Sequence, residues 1–207
     1  MEDIWLTWAK RLRGIAATGR HFTRDEYDRE RYAEVAAIAN EMLASLAHAP
    51  VGAIQGLVSE SEQGYATPKV EVRGAVIEAG KILLVRERSD DLWTLPGGYA
   101  DVGISPGENV IKEVWEEASI RVRVTALYAI RHKARHEYNP DVRDFYKLFF
   151  LCERTDRLTP RPGLETAATG FFAPDELPPL SRGRVLEKDI VAAFAFKADP
   201  RGPVWFD

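Results

Sequence analysis

The hydrophobic rhythm of this 207-residue chain changes once, and the change limits what it can fold into. Up to about residue 46 apolar side chains recur every three or four positions, the spacing of an amphipathic helix. Ile4, Trp5, Trp8, Leu12, Ile15 and Ala16 form the first such run, and Gly19 follows as a stop. Thr23 precedes Glu26 by three, a capping-box spacing. A second run places Tyr27, Tyr32, Val35, Ile38, Ala39, Met42, Leu43 and Leu46 along a wide stripe. Two helices bury little by themselves. Their stripe is covered either by the rest of the chain or by a second copy of it.

From Val70 the rhythm is that of strands. Residues 70–77 and 81–86 flank an Ala79-Gly80 turn and read as a hairpin. Residues 121–130, 144–153 and 169–172 read as further strands, and 184–196 as a last helix. Residues 47–68, with Pro50, Gly52, Gly56, Gly64, Pro68 and an apolar cluster at Ile54, Leu57 and Val58, read as the connection. The division expected is an N-terminal helical domain with its linker at 1–66 and a second domain at 67–207. Strands with a few helices predict a sheet that carries helices on its faces.

The chemistry concentrates in residues 93–120. Leu-Pro-Gly-Gly at 95–98 leads into a helix whose start is marked three ways. Ser105 is the N-cap, Pro106 takes the first position, and Glu108 completes a capping box. The helix runs to about Ala118 with Val110, Val114 and Ala118 inward. Glu113, Glu116 and Glu117 are three or four apart and share a side of it. Such a run is ordinarily a solvated acidic face. Beside a glycine turn, where a backbone carbonyl can approach closely, the same carboxylates suit a hard cation, Mg²⁺ or Mn²⁺.

A second cluster is Arg131-His-Lys-Ala-Arg-His-Glu-Tyr-Asn-Pro140, read as a loop between strands. It is either solvated or a substrate clamp, with Arg131 and Lys133 on phosphate and His136 and Tyr138 against a base. Arg73, on the first strand, either faces the same ligand or decorates the strand. Trp93 either stacks on a base or fills the core. His132 and His136 have zinc-ligand spacing, but nothing completes the set.

Composition removes some classes. A net charge of −4 gives no global field for a nucleic-acid backbone. No stretch approaches the roughly 20 apolar residues of a membrane span. One cysteine, Cys152, forms no intrachain disulfide, which points to a reducing, cytoplasmic setting. The acidic start Met1-Glu-Asp argues against a signal peptide.

The stretch that begins at Gly98 resembles the Nudix box: Gly, five residues, Glu, seven residues, Arg-Glu-apolar-x-Glu-Glu-x-Gly-apolar. Glu113, Glu116 and Glu117 match its metal-binding glutamates, and Val114 and Ile120 its apolar positions. Ile104, Lys112 and Ser119 depart from its first Glu, its Arg and its last Gly. Glu108 offers Lys112 a local partner at i, i+4. The N-terminal helical pair, the run Gly64-Tyr-Ala-Thr-Pro-Lys-Val70, residues 146–153 and residues 171–180 are similar to a two-domain Nudix subgroup that includes CDP-choline and ADP-ribose pyrophosphatases.

The resemblance implies a three-layer α/β/α fold with a mixed sheet, preceded by the small helical domain, and a homodimer. It implies Mg²⁺, with Mn²⁺ as the alternative, held by Glu113, Glu116 and Glu117 with the Gly98 carbonyl. The implied reaction is hydrolysis of a nucleoside diphosphate linked to a small group X, giving a nucleoside monophosphate and phospho-X. Glu165 is the candidate general base from a later loop, and Glu117 the alternative. The altered box leaves a rival, a nucleotide-sensing or scaffolding module with weakened catalysis. RNA-end trimming is a third reading, which the acidic charge disfavours.

Overall fold

A computed structural model describes residues 2–58 and 65–207. Gly64 of the expected connection lies outside the described residues. The chain divides into two compact units, residues 1–69 with 140–144 and residues 70–139 with 145–207.

The first unit is helical. Helix α1 (Ile4–Phe22) starts at Asp3, whose carboxylate accepts from the Trp5 and Leu6 N–H groups. Helix α2 (Glu26–Ala47) is capped in the same way by Asp25, not by the expected Thr23. The Asp25 carboxylate accepts from two first-turn N–H groups where the Thr23 hydroxyl reaches only Asp25 itself. Part of the expected connection folds as a third helix, α3 (Val51–Val58). Gly19 does not stop α1. It lies inside it, where a Cβ would come within 2.4 Å of the Tyr32 ring.

The small core of this unit is Leu6, Ala9, Leu43, Ala44 and Ile54. The first-helix stripe read from the sequence is largely outside it. Ile4, Trp5, Trp8, Leu12 and Ile15 are exposed, as are Tyr27, Ile38 and Leu46 on α2.

The second unit is built on a mixed sheet. Its strands are β1 (Lys69–Glu78), β2 (Lys81–Glu87), β3 (Trp93–Thr94), β4 (Val122–His132), β5 (Phe145–Arg154), β6 (Thr166–Phe172) and β7 (Trp205–Phe206). The order is β3-β2-β1-β5-β4-β7, with β6 on β2. β1/β2, β2/β3, β2/β6 and β4/β5 are antiparallel. The two-residue β7 runs parallel to β4. Helices α4 (Pro106–Ala118) and α5 (Glu187–Ala198) supply the outer layers.

Alternation along the central strands sorts the core into two layers. Val72, Val76, Leu83 and Val85 pack with Val110, Val114 and Ala118 of α4. Ala75, Ile77, Ile82 and Leu84 pack with Ile190, Ala193 and Phe196 of α5. Both faces of β1 and β2 are covered, which explains their near-continuous apolar runs. This is the three-layer α/β/α arrangement expected, accompanied by a small helical unit.

Candidate functional site

The site is organised by the segment from Leu95 to Ala100, which runs beside β1. Gly74 N–H donates to Pro96 O, Val72 N–H to Gly98 O and Ala100 N–H to Val70 O. Gly97 has φ 146°, and a Cβ there would lie 2.1 Å from Val72 O. Only glycine fits both the conformation and the space.

Helix α4 begins as its sequence dictates. Ser105 Oγ accepts from Glu108 N–H at 3.2 Å, and the Glu108 carboxylate accepts from Ser105 N–H at 2.7 Å. Ser119 closes the helix in the left-handed region at φ 55°. Buried Asn109 gathers the turn before the helix. Its Oδ1 accepts from Asp101 N–H at 2.8 Å, and its amide donates to Ser105 O at 3.1 Å.

The three glutamates lie on this helix but are engaged separately. Glu117 is buried, and its Oε2 accepts from Gly97 N–H at 3.0 Å. Burial pushes its carboxyl up to about 8, helped by Glu87 and Glu113 and opposed by Arg73 and the Gly97 N–H. Glu113 is half-buried against Gly98, where an added Cβ would come 2.8 Å from its Oε1. Burial raises its carboxyl too, with Glu116 and Glu165 adding repulsion and Lys112 and Arg73 opposing. Glu116 is exposed and its Oε2 lies 3.0 Å from Lys112 Nζ. The expected partner of Lys112 was Glu108. The Glu108 carboxylate is held in the capping box, and Lys112 instead spans Glu116 and Asp101 Oδ2 at 3.1 Å.

The loop that carries Glu165 is docked on the end of α4. Thr166 Oγ1 donates to Glu117 O at 2.9 Å and Arg161 N–H to Ala118 O at 3.0 Å. Gly163 sits so close that a Cβ would lie 1.7 Å from Glu116 O. Arg88 N–H donates to Glu165 O at 2.9 Å. Glu165 itself is exposed.

Sequence reasoning passed over Glu87. It ends β2, is buried, pairs across the ladder with Thr166 and lies 3.6 Å from Arg184 Nε. Burial raises its carboxyl, with Asp90 and Glu165 adding to the rise and Arg184 and Arg73 opposing it. Its place at the end of an apolar strand was the available signal, since an acid there is buried or paired.

Whether a cation fits can be asked of these residues. Among the described residues no three acidic, histidine or cysteine side chains stand together as a finished cation cage. The chemistry nonetheless matches. All donors are hard oxygens. Two of the carboxyls are raised by burial and by neighbouring carboxylates, a condition that a divalent charge relieves. The Lys112 ammonium already stands on Glu116 where a cation would.

Of the two readings of the basic cluster, the structure does not favour the solvated loop. Arg131 and His132 belong to β4, and Lys133–Arg135 form a 3₁₀ turn. Tyr138 is buried and its hydroxyl donates to Asp189 Oδ2 at 2.6 Å. Arg131 Nε lies 3.7 Å from Asp189 Oδ1. Lys133 is buried with Nζ 4.8 Å from the Phe145 ring centroid. His136 Nε2 lies 2.6 Å from Asp207 Oδ1. Arg73 is buried too and donates to Leu95 O at 3.1 Å. It does not face open solvent as a strand decoration or a ready ligand contact would. Trp93 packs edge-on against Phe172.

Beside Arg73 a buried Lys147 Nζ pairs with Glu71. Burial pushes the Glu71 carboxyl up, but Arg73, Lys147 and Lys133 outweigh it and hold it low. Lys147 is pushed down to about 8, first by burial and then by Arg73 and Lys133 against the pull of Glu71.

A strand–glycine turn–helix unit with carboxylates on the helix, inside a three-layer α/β/α domain, is the arrangement expected of the class of phosphoanhydride hydrolases that the box resembles. The chain belongs to the NUDIX domain family, which it matches over residues 68–194, and it is a Nudix pyrophosphohydrolase. Residues 3–58 match a second family, described as a UDP-X-like N-terminal oligomerisation domain.

A putative ADP-ribose pyrophosphatase of Bacillus subtilis is 41% identical over 207 residues, covering 100% of this chain and 99% of that protein. A solved UDP-X diphosphatase is similar at 32% identity and TM-score 0.63, covering 98% of each chain. A solved ADP-ribose pyrophosphatase of Streptococcus suis is 39% identical with TM-score 0.62, covering 68% of this chain and all of that one.

Proposed function

We propose that the enzyme hydrolyses the pyrophosphate bond of a nucleoside diphosphate linked to a small group X, with Mg²⁺, or Mn²⁺ in its place. The products are a nucleoside monophosphate and phospho-X. The proposal also takes residues 1–66 as an N-terminal helical domain with linker and residues 67–207 as the hydrolase domain. The observation that carries the reading is the placing of two carboxylates on the glycine turn, Glu117 accepting from Gly97 N–H and Glu113 lying against Gly98. The names of its relatives support two substrate types, ADP-ribose and a UDP-linked X, and the subgroup resemblance adds CDP-choline.

A divalent cation bound here supplies charge neutralisation for the bridging phosphates and acidifies a water. Glu113, Glu116 and Glu117 would hold it, with the Gly98 carbonyl, which now accepts from Val72 N–H, as a fourth ligand. Glu165 takes the proton from the attacking water. Its loop is docked on α4 and its side chain is exposed, and a general base must come within hydrogen-bond reach of that water. Glu117 is the alternative base. Arg131 and Lys133 would take the phosphate side of the substrate and His136 its base, each exchanging its present partner. Tyr138 and Arg73 are better read as framework. Arg73 acts at a distance, drawing the carboxyls of Glu113 and Glu117 toward their charged forms.

We further propose a homodimer formed through the first unit and a cytoplasmic location. Exposed Trp5, Trp8 and Ile15 on α1 support the first. The unpaired, buried Cys152, its thiol pushed up to about 12 by burial, supports the second. No helix among the described residues is long and apolar enough to cross a membrane.

The test is a panel of ADP-ribose, UDP-sugars, CDP-choline and a capped RNA with and without Mg²⁺, scored by phosphatase-accessible monoester. Turnover on at least one diphosphate-linked nucleotide, abolished by EDTA, is expected. Nucleotide binding without turnover on any would favour the sensing module instead.

A further inference from the structure

Position 112 carries a lysine where the box has arginine, and position 104 an isoleucine where it has glutamate. The structure shows what the lysine does. Its Nζ bridges two carboxylates, Glu116 Oε2 at 3.0 Å and Asp101 Oδ2 at 3.1 Å. Asp101 is held in reach by buried Asn109, whose Oδ1 takes the Asp101 N–H. Ile104, 39% exposed, takes no part in this bridge. A lysine ammonium on a flexible stem moves more readily between partners than a guanidinium fork.

We propose that Lys112 is a tethered counter-ion that neutralises Glu116 until a divalent cation arrives, and that Asp101 is the partner onto which it then withdraws. The inference rests on the metal reading of Glu116 given above. An ammonium and a metal ion cannot both sit against the same carboxylate oxygen. With one partner only, the ammonium would stay on Glu116 and oppose the metal. With two, leaving Glu116 costs Lys112 one ion pair and keeps the other. All three side chains are about half exposed, so each pair is a surface pair of modest strength. Asp101 and Lys112 are therefore positioning residues that set divalent-ion affinity through Glu116, and neither touches the reacting atoms.

The experiment is Mn²⁺ binding to the full chain without substrate, read by the EPR signal of free Mn²⁺ at low ionic strength. Wild type, Lys112→Met, Asp101→Asn, the double variant and Glu116→Gln are compared, with folding checked by circular dichroism. Lys112→Met should tighten binding about two- to fivefold, and Asp101→Asn should weaken it by a similar factor. In the Lys112→Met background, Asp101→Asn should change affinity less than about 1.5-fold, because its effect passes through the lysine.

Weakening by both single changes would overturn the proposal and make the bridge a simple brace. An Asp101→Asn effect that persists in the double variant would also overturn it, leaving only a long-range field. Wild-type protein that binds no Mn²⁺, or Glu116→Gln that binds as wild type does, would instead remove the metal reading on which it depends.

Discussion

At the scale of single residues, charge is settled by what surrounds each group. Position 104 illustrates it. The Nudix resemblance places a glutamate there to support the box arginine, yet Lys112 finds Asp101 three positions earlier in the turn. Ile104→Glu should therefore change Mg²⁺-dependent turnover by less than about threefold, measured against wild type at saturating metal. A gain of tenfold or more would mean that the natural chain lacks a carboxylate it needs.

Lys147 makes a second case. Its folded value, about 8, lies below its ordinary 10.5. Below pH 8 the lysine is charged in both folded and unfolded chains, and contributes no slope. Between pH 8 and 10.5 the unfolded chain binds the proton that the folded chain has lost, so stability rises with pH there. Its contribution is present above 10.5 and lost as pH falls through 8. Urea unfolding at pH 7.5 and pH 10 should show wild type gaining stability relative to Lys147→Met across that interval. A parallel response of the two proteins would place the Lys147 value near that of free lysine.

Elements turn these residues into a site. Helix α4 was legible in the sequence because Ser105, Pro106 and Glu108, within four positions, fix its start and Ser119 its end. Strands β1 and β2 were legible for a similar reason, with the Ala79-Gly80 turn at positive φ between two apolar runs. Distant partnerships were not legible. Nothing local announces that Asn109 gathers the turn at 101–105 or that Tyr138 reaches Asp189 across 51 positions. The short β7 escaped because two residues carry no period, and Trp205 and Phe206 are both exposed. The 131–138 segment looked like a loop because its charges are dense. Its burial is made possible by Asp189 and Asp207, far along the chain, and by the nearer Phe145 ring.

The loop at 161–166 offers a test at this scale. Gly163 lets the loop lie on the last turn of α4, and a Cβ would overlap Glu116 O at 1.7 Å. Gly163→Ala should displace Glu165 and lower kcat by about tenfold or more with a smaller change in KM. Unchanged kcat would show that the position of this loop is irrelevant to the chemistry.

For the whole molecule, the apolar stripe of α1 carries most of the information. The sequence left open whether Ile4, Trp5, Trp8, Leu12 and Ile15 are core or contact. In the structure Leu6, Ala9 and Ala16 are buried in their place, and Trp5 remains 56% exposed. The match of residues 3–58 to an oligomerisation domain agrees with a contact face. Exposed tryptophans of this kind are favoured anchors between subunits. Replacing Trp5 and Trp8 together by Glu should shift the sedimentation coefficient from that of the proposed dimer to that of a 23.3 kDa monomer at micromolar concentration. A variant that sediments as wild type does would exclude this face from the assembly.

The central claim is that carboxylates of one short helix carry a metal-dependent attack on a phosphoanhydride. Its most direct test compares wild type with Glu116→Gln in the hydrolysis of ADP-ribose, or of whichever panel substrate turns over fastest, at saturating Mg²⁺. Loss of turnover by roughly a hundredfold or more, with an unchanged circular dichroism spectrum, is the predicted result. Equal rates in the two proteins would contradict it.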